Sequence, residues 1–127
     1  MSKNRFLDWF LQAQDDIEFA KKSLSLQHYS QICFLSQQAS EKALKALGFR
    51  NGYDLMKTHS VRVLAEKLQI NSEVTEAAKI LDLYYISARY PDGLPEGAPF
   101  QAFTEEQAKQ AIEKAELILN KVLKLIK

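Results

Sequence analysis

Apolar residues recur along this chain at steps of three and four, which is the spacing of one face of a helix. Phe6, Phe10, Ala13, Ile17, Ala20 and Leu24 keep that spacing, while Asp15, Asp16, Lys21 and Lys22 fall mostly off the stripe. This predicts an amphipathic helix over about residues 4–26, with Gln27 and His28 as the turn. A second helix, over about 29–48, carries Ile32, Ser36, Ala39, Ala43 and Ala46 on one stripe, with Tyr29, Cys33, Leu44 and Leu47 beside it. A face this wide and this small in side-chain volume lets neighbours approach closely and predicts a central helix. Gly48 and Gly52 bracket its end as stop signals.

Val61, Leu64, Ala65 and Leu68 predict a short third helix, with Thr58 or His59 near its cap. A fourth follows, capped by Ser72 and read through Val74, Ala77, Ala78, Leu81, Tyr84, Tyr85 and Ala88. Thr104 and Gln107 have capping-box spacing and open a fifth helix through Ala108, Ala111, Ala115, Ile118, Val122 and Leu125. Its C-terminal lysines suit the negative end of the helix dipole. No strand pattern, repeat or low-complexity tract competes. The pattern predicts an all-α fold, an up-and-down antiparallel bundle of four long helices plus one short helix. One connection is long. Residues 91–103 hold all three prolines and two of the four glycines, and compact domains seldom keep such a loop without a use for it.

Composition narrows the class without naming a function. The 127 residues fit a single domain spanning 1–127. With 46% hydrophobic and 26% charged residues the chain is ordinary globular material, and a net charge of +1 makes any anion site local. Cys33 is the only cysteine, so no intrachain disulfide forms. That feature, with an N-terminus unlike a signal peptide, predicts a cytoplasmic protein. No apolar run approaches the roughly 20 residues a membrane span needs.

The chemistry concentrates in Tyr84-Tyr85-Ile86-Ser87-Ala88-Arg89-Tyr90-Pro91-Asp92-Gly93. Pro91 disfavours helical geometry at Tyr90, so the fourth helix is expected to end there, with Arg89 in its last turn. A guanidinium fork beside tyrosines can receive a phosphate and stack a base. The plainer alternative is that Arg89 caps carbonyls or pairs with Asp92 while the tyrosines fill the core. His59, at a helix start, has the chemistry of an acid or a base; the plainer alternative is that it caps the helix or fills a packed boundary site. Glu41, Lys42 and Lys45 read as a solvated helix face with Glu41 and Lys45 paired at i,i+4. His28 and Cys33 are five apart, off the spacing of a metal pair, and no metal or cofactor is expected. Trp9 and Phe10 are adjacent and cannot both sit on a narrow core stripe, so either one faces a partner or the core face is wide enough for both.

Gln37-Gln38-Ala39-Ser40-Glu41-Lys42-Ala43-Leu44-Lys45-Ala46 resembles the second-helix signature of HEPN domains. Thr58-His59-Ser60 with Leu64 is similar to their third-helix entry, and Arg89-Tyr90-Pro91-Asp92 with Leu94-Pro95 to the motif after helix four in one bacterial and archaeal branch. Trp9, Ala13 and Asp16 in the first helix agree. The resemblance implies an antiparallel helical bundle, usually a homodimer, and often a minimal nucleotidyltransferase as partner, as in toxin–antitoxin-like pairs. It also implies nucleotide or RNA as ligand. Arg89 is the first-choice contact, supported by Tyr90, Tyr85 and the loop from Asp92 to Pro95, with His59 as a further candidate. Ribonuclease branches use an arginine followed four to six residues later by a histidine. Arg89 matches the arginine, but residues 90–96 contain no histidine and none occurs after His59. The expectation is therefore a binding module, with a divergent metal-independent ribonuclease and a purely structural subunit as alternatives.

Overall fold

The structure, a computed structural model, describes residues 5–54 and 56–127. Its helices are α1 (Phe6–Lys22), α2 (Tyr29–Arg50), α3 (Val61–Lys67), α4 (Ser72–Asp82), α5 (Tyr84–Ser87), α6 (Pro99–Ala102) and α7 (Glu105–Ile126). Among the described residues there is no strand. The helical bundle expected from the periodicity is present, with two short helices added to it. Asn4, where the periodicity starts the first helix, lies outside the described residues.

Helix α2 is central. It packs against α1 on one side and α7 on another, and the face that allows this is the small one: Ser36, Ala39, Ser40, Ala43 and Ala46 are buried. Short side chains let two helix backbones approach closely, and Ile17, Leu44, Leu64, Leu81, Ile118 and Val122 fill the space around them. Phe10 joins this core, and the neighbouring Trp9 packs edge-on against Phe49 at 5.3 Å. Burial pushes the Cys33 thiol up to about 12, so at neutral pH it is a small apolar core residue and no nucleophile.

Several boundaries differ from expectation, each for a local reason. The first helix ends at Lys22 and tightens into a 3₁₀ turn, Ser23–Leu26, closed by Gln27 at φ 66°. Helix α2 runs through Gly48 to Arg50, whose Nε donates to the Ile126 carbonyl of α7 at 3.1 Å. Ser60, rather than Thr58 or His59, caps α3, its Oγ accepting from the Val63 N–H. Asn71, one residue before Ser72, caps α4 in the same way through Val74. The single long fourth helix breaks at Leu83, whose N–H bonds back three residues to Ile80 instead of four. The capping box at Thr104 and Gln107 is present in both directions. The connection after Pro91 carries a 3₁₀ turn, Pro91–Gly93, and then α6.

Candidate functional site

Gln37, Glu41 and Lys45 are spaced by four on α2 and so form one row along its surface. All three are buried, which corrects the solvated face expected for Glu41 and Lys45; the i,i+4 pair forms, but inside the protein. The cause is the segment before α3, which lies across this row. Glu41 Oε2 accepts from Lys45 Nζ at 2.8 Å and faces His59 Nδ1 at 3.1 Å. Gln38 Nε2 donates to Glu41 Oε1 at 3.3 Å, and Gln37 Nε2 donates to the His59 carbonyl at 2.9 Å. The row is thus a satisfied network, as buried charges require. A neutral imidazole with Nδ1 against a carboxylate carries its proton there and leaves Nε2 as the acceptor. Lys42, one residue beyond Glu41, turns the other way and pairs with Asp16 of α1 at 2.6 Å.

The His59 ring stacks on Tyr85 of α5, with centroids 5.1 Å apart and planes 15° apart. Asp82 fixes this neighbourhood by binding the start of α3: its carboxylate accepts from the Val61 N–H at 2.7 Å, the Ser60 hydroxyl at 2.6 Å and the Arg62 N–H at 3.1 Å. The end of α4 and the start of α3 are thereby held together, and His59 and Tyr85 with them.

Arg89 follows α5 instead of lying in a last helical turn. Its guanidinium carbon sits 4.5 Å from the Tyr85 ring centroid, 4.4 Å from that of Phe34 on α2 and 4.9 Å from that of Tyr90. Its Nε donates to the Tyr85 carbonyl at 2.8 Å. This is the carbonyl-capping alternative, and it uses one of five guanidinium N–H groups. The pairing with Asp92 does not form, and among the described residues Arg89 makes no ion pair. Asp92 is exposed on the 3₁₀ turn. That turn folds back tightly on α5, because a Cβ at Gly93 would meet the Ser87 Cα at 2.7 Å; only glycine fits. Tyr90 has the extended backbone that Pro91 imposes, and its side chain is about half exposed.

Four of the five expected contact residues, His59, Tyr85, Arg89 and Tyr90, therefore share one surface, and Asp92 makes no ion pair with Arg89. The tyrosines are not equivalent: Tyr84 is buried against Phe103, Tyr85 is half-buried and Tyr90 is open. Sequence reading missed Phe34 as a wall of this site and Glu41 as its buried anchor. A signal existed for Glu41. Its row continues Cys33, a core position, so the row borders the buried stripe.

The sequence profile of the HEPN domain matches residues 6–125. A protein of Methanocaldococcus jannaschii named a "putative toxin" is 27% identical over 128 residues, covering 91% of this chain and 84% of that protein. A crystallised protein of Thermus thermophilus superposes with a TM-score of 0.90 at 38% identity, over 96% of this chain and 98% of that one. The crystal structure of an archaeal HEPN homologue gives 0.84 at 38% identity with the same coverage. A HEPN domain protein of Thermotoga maritima gives 0.75 at 32% identity, over 94% and 97%.

Proposed function

The chain belongs to the HEPN domain family, and from that premise we propose that it is a binding module for a nucleotide or an RNA end, with Arg89 as the phosphate contact. The observation that carries this reading is the setting of Arg89. A guanidinium anchored through Nε to a carbonyl, walled by three aromatic rings and lacking a carboxylate partner among the described residues keeps N–H donors for an anion. His59 and Tyr90 border the same surface. Asp92 contributes the loop that carries Tyr90, not a contact to the ligand.

Calorimetric titration with mono- and dinucleotides tests the reading. Arg89→Ala is expected to weaken binding by about 1–3 kcal/mol, a loss of roughly 5- to 150-fold. Equal binding by wild type and variant, or no binding by either, means the site is wrongly placed.

In this reading the chain works as a homodimer beside a nucleotidyltransferase-like partner, as one member of a toxin–antitoxin-like pair. The toxin name of the Methanocaldococcus relative supports the pairing. Leu7, Leu11 and Phe19, exposed along the outside of α1, support a self-association face. Light scattering over a micromolar range checks the dimer, and a mass of 14.5 kDa throughout ends it. No helix among the described residues is long and apolar enough to cross a membrane.

A second reading has one observation in its favour. His59, with a carboxylate on Nδ1 and a side chain 57% exposed, has the arrangement of a general base, and it lies against the same tyrosine as Arg89. That is the divergent ribonuclease alternative.

A further inference from the structure

We infer that the base of the bound nucleotide sits in a slot on the α6 side of Arg89, between Phe34 and Phe100, with Gln31 at its edge. The inference rests on the reading of Arg89 as the phosphate contact and adds to it where the rest of the ligand goes.

The two tyrosines first suggested by the sequence are poor platforms for a base. Tyr85 already carries the His59 ring stacked at 5.1 Å and the Arg89 guanidinium at 4.5 Å, so it serves as scaffold. Phe34 carries the same guanidinium at 4.4 Å and so acts as a wall of the slot, which leaves Phe100 as the open face for stacking. Tyr90 offers a half-exposed ring beside the guanidinium but does not line the hollow described next. A base needs a π-face and gains more when a second apolar surface excludes water from it.

Such a place exists where Arg89 meets α6. Phe34, Arg89, Pro99, Phe100, Ser30 and Gln31 line a hollow of about 300 Å³, at the low end of the size range of small-molecule sites. Arg89 is common to the guanidinium cage and to this hollow, so a phosphate held by it is continuous with a group placed inside. Phe100 is 70% exposed, the most exposed large hydrophobic side chain among the described residues. Its backbone is nonetheless fixed: Pro99 is buried beside it, and Gln101 Oε1 accepts from the Ala98 N–H at 3.0 Å, closing the start of α6. A large aromatic on a fixed backbone, facing water across a slot from a second phenylalanine, fits stacking on a flat heterocycle better than it fits packing. Gln31 lies close to one helical turn before Phe34 on α2 and is exposed, and its amide supplies both donors and an acceptor for the polar edge of a base. Among the described residues nothing basic besides Arg89 lines the hollow, which favours a single nucleotide over a strand whose successive phosphates each need a cation.

The experiment compares ribose 5-phosphate with adenosine and cytidine 5′-monophosphates by calorimetry, on wild type, Phe100→Ala, Gln31→Ala and Tyr90→Ala. Circular dichroism checks that each variant is folded, which the exposure of all three side chains predicts. Wild type is expected to bind the nucleotides about tenfold or more tightly than ribose 5-phosphate, the usual scale for one stacked base. Phe100→Ala is expected to remove that advantage while leaving ribose 5-phosphate binding unchanged. Gln31→Ala is expected to alter the ratio between the two nucleotides. Equal affinity of wild type for all three compounds removes the slot but leaves Arg89 as a phosphate contact. An advantage erased by Tyr90→Ala and kept by Phe100→Ala removes it too. Failure of every compound to bind overturns the phosphate reading and the slot together.

Discussion

The polar row of α2 and the segment from Leu83 to Phe103 carry the two halves of the candidate site, and they are built in opposite ways. In the row, Gln37, Glu41 and Lys45 are buried and the charged pair is closed on itself, on His59 and on the Gln38 amide. In the segment, Leu83, Ile86, Tyr90 and Phe100 are exposed, and Arg89 has no carboxylate partner among the described residues. The row sits on the middle of a 22-residue helix clamped between α1 and α7, whereas the segment is made of a broken helix, a 3₁₀ turn and a four-residue helix. A charge that is enclosed must be paired to be tolerated. A charge and several aromatics left at the surface, on a backbone held in place, are what a ligand can still use.

The contrast breaks most visibly if Glu41 is removed. Glu41→Ala leaves the Lys45 ammonium, 9% exposed, without its partner, and takes the carboxylate from His59. Breaking a buried pair from one side costs about 3–5 kcal/mol. Thermal unfolding of the variant is therefore expected about 10 °C or more below wild type. A double change, Glu41→Leu with Lys45→Met, is expected to recover much of that loss, since no lone charge remains. A drop under about 1 kcal/mol for the single change means that the row behaves as a solvated pair, as its sequence alone suggests. Arg89→Ala gives the opposite signature. The change loses one carbonyl hydrogen bond and the ring contacts but strands no buried charge, so the variant is expected to lose only about 1–2 kcal/mol of stability, less than Glu41→Ala, while ligand binding falls.

The legibility of the two halves in sequence also differs, for physical reasons. Period-3.6 patterning is a long-range average over a helix, so α1, α2 and α7 are readable to within a few residues. Caps are readable where the residue type is distinctive, as at Thr104. Neighbouring residues that can all cap compete on nearly equal terms, which displaced the caps of α3 and α4. The break at Leu83 has no residue signature, because a helix tightens there by one hydrogen bond. Arg89 and its tyrosines stand out because Pro91 marks the helix end and the residue types are chemically loud. Burial of Glu41 shows in the sequence only through its register with Cys33. A Glu-Lys pair at i,i+4 reads as surface on any isolated helix, and only the segment that brings His59 across α2 closes it off. Phe34 and Phe100, far apart in the chain, meet at one hollow through tertiary folding alone.

The smallest expected effect is an absence, and it sharpens what the two halves do together. Cleavage of RNA by its own 2′-hydroxyl needs a base on the nucleophile and an acid on the leaving oxygen, each contributing typically about 10²–10⁴-fold when well placed. The closed half supplies one proton carrier, His59, with Nδ1 committed to Glu41 and only Nε2 free. The open half supplies Arg89, which stabilises phosphorane charge but stays protonated and cannot pass protons. Both groups rest on the Tyr85 ring, so the fold does bring them to one surface, yet a single imidazole then has to serve both oxygens in turn. Labelled structured and single-stranded RNA incubated with wild type, Arg89→Ala and His59→Ala is therefore expected to stay intact in every lane. Cleavage by wild type that both variants abolish would replace the binding module with the ribonuclease and make the row and the segment one active site. Cleavage that survives both changes comes from a contaminant, and leaves the division between a closed structural row and an open binding segment as it stands.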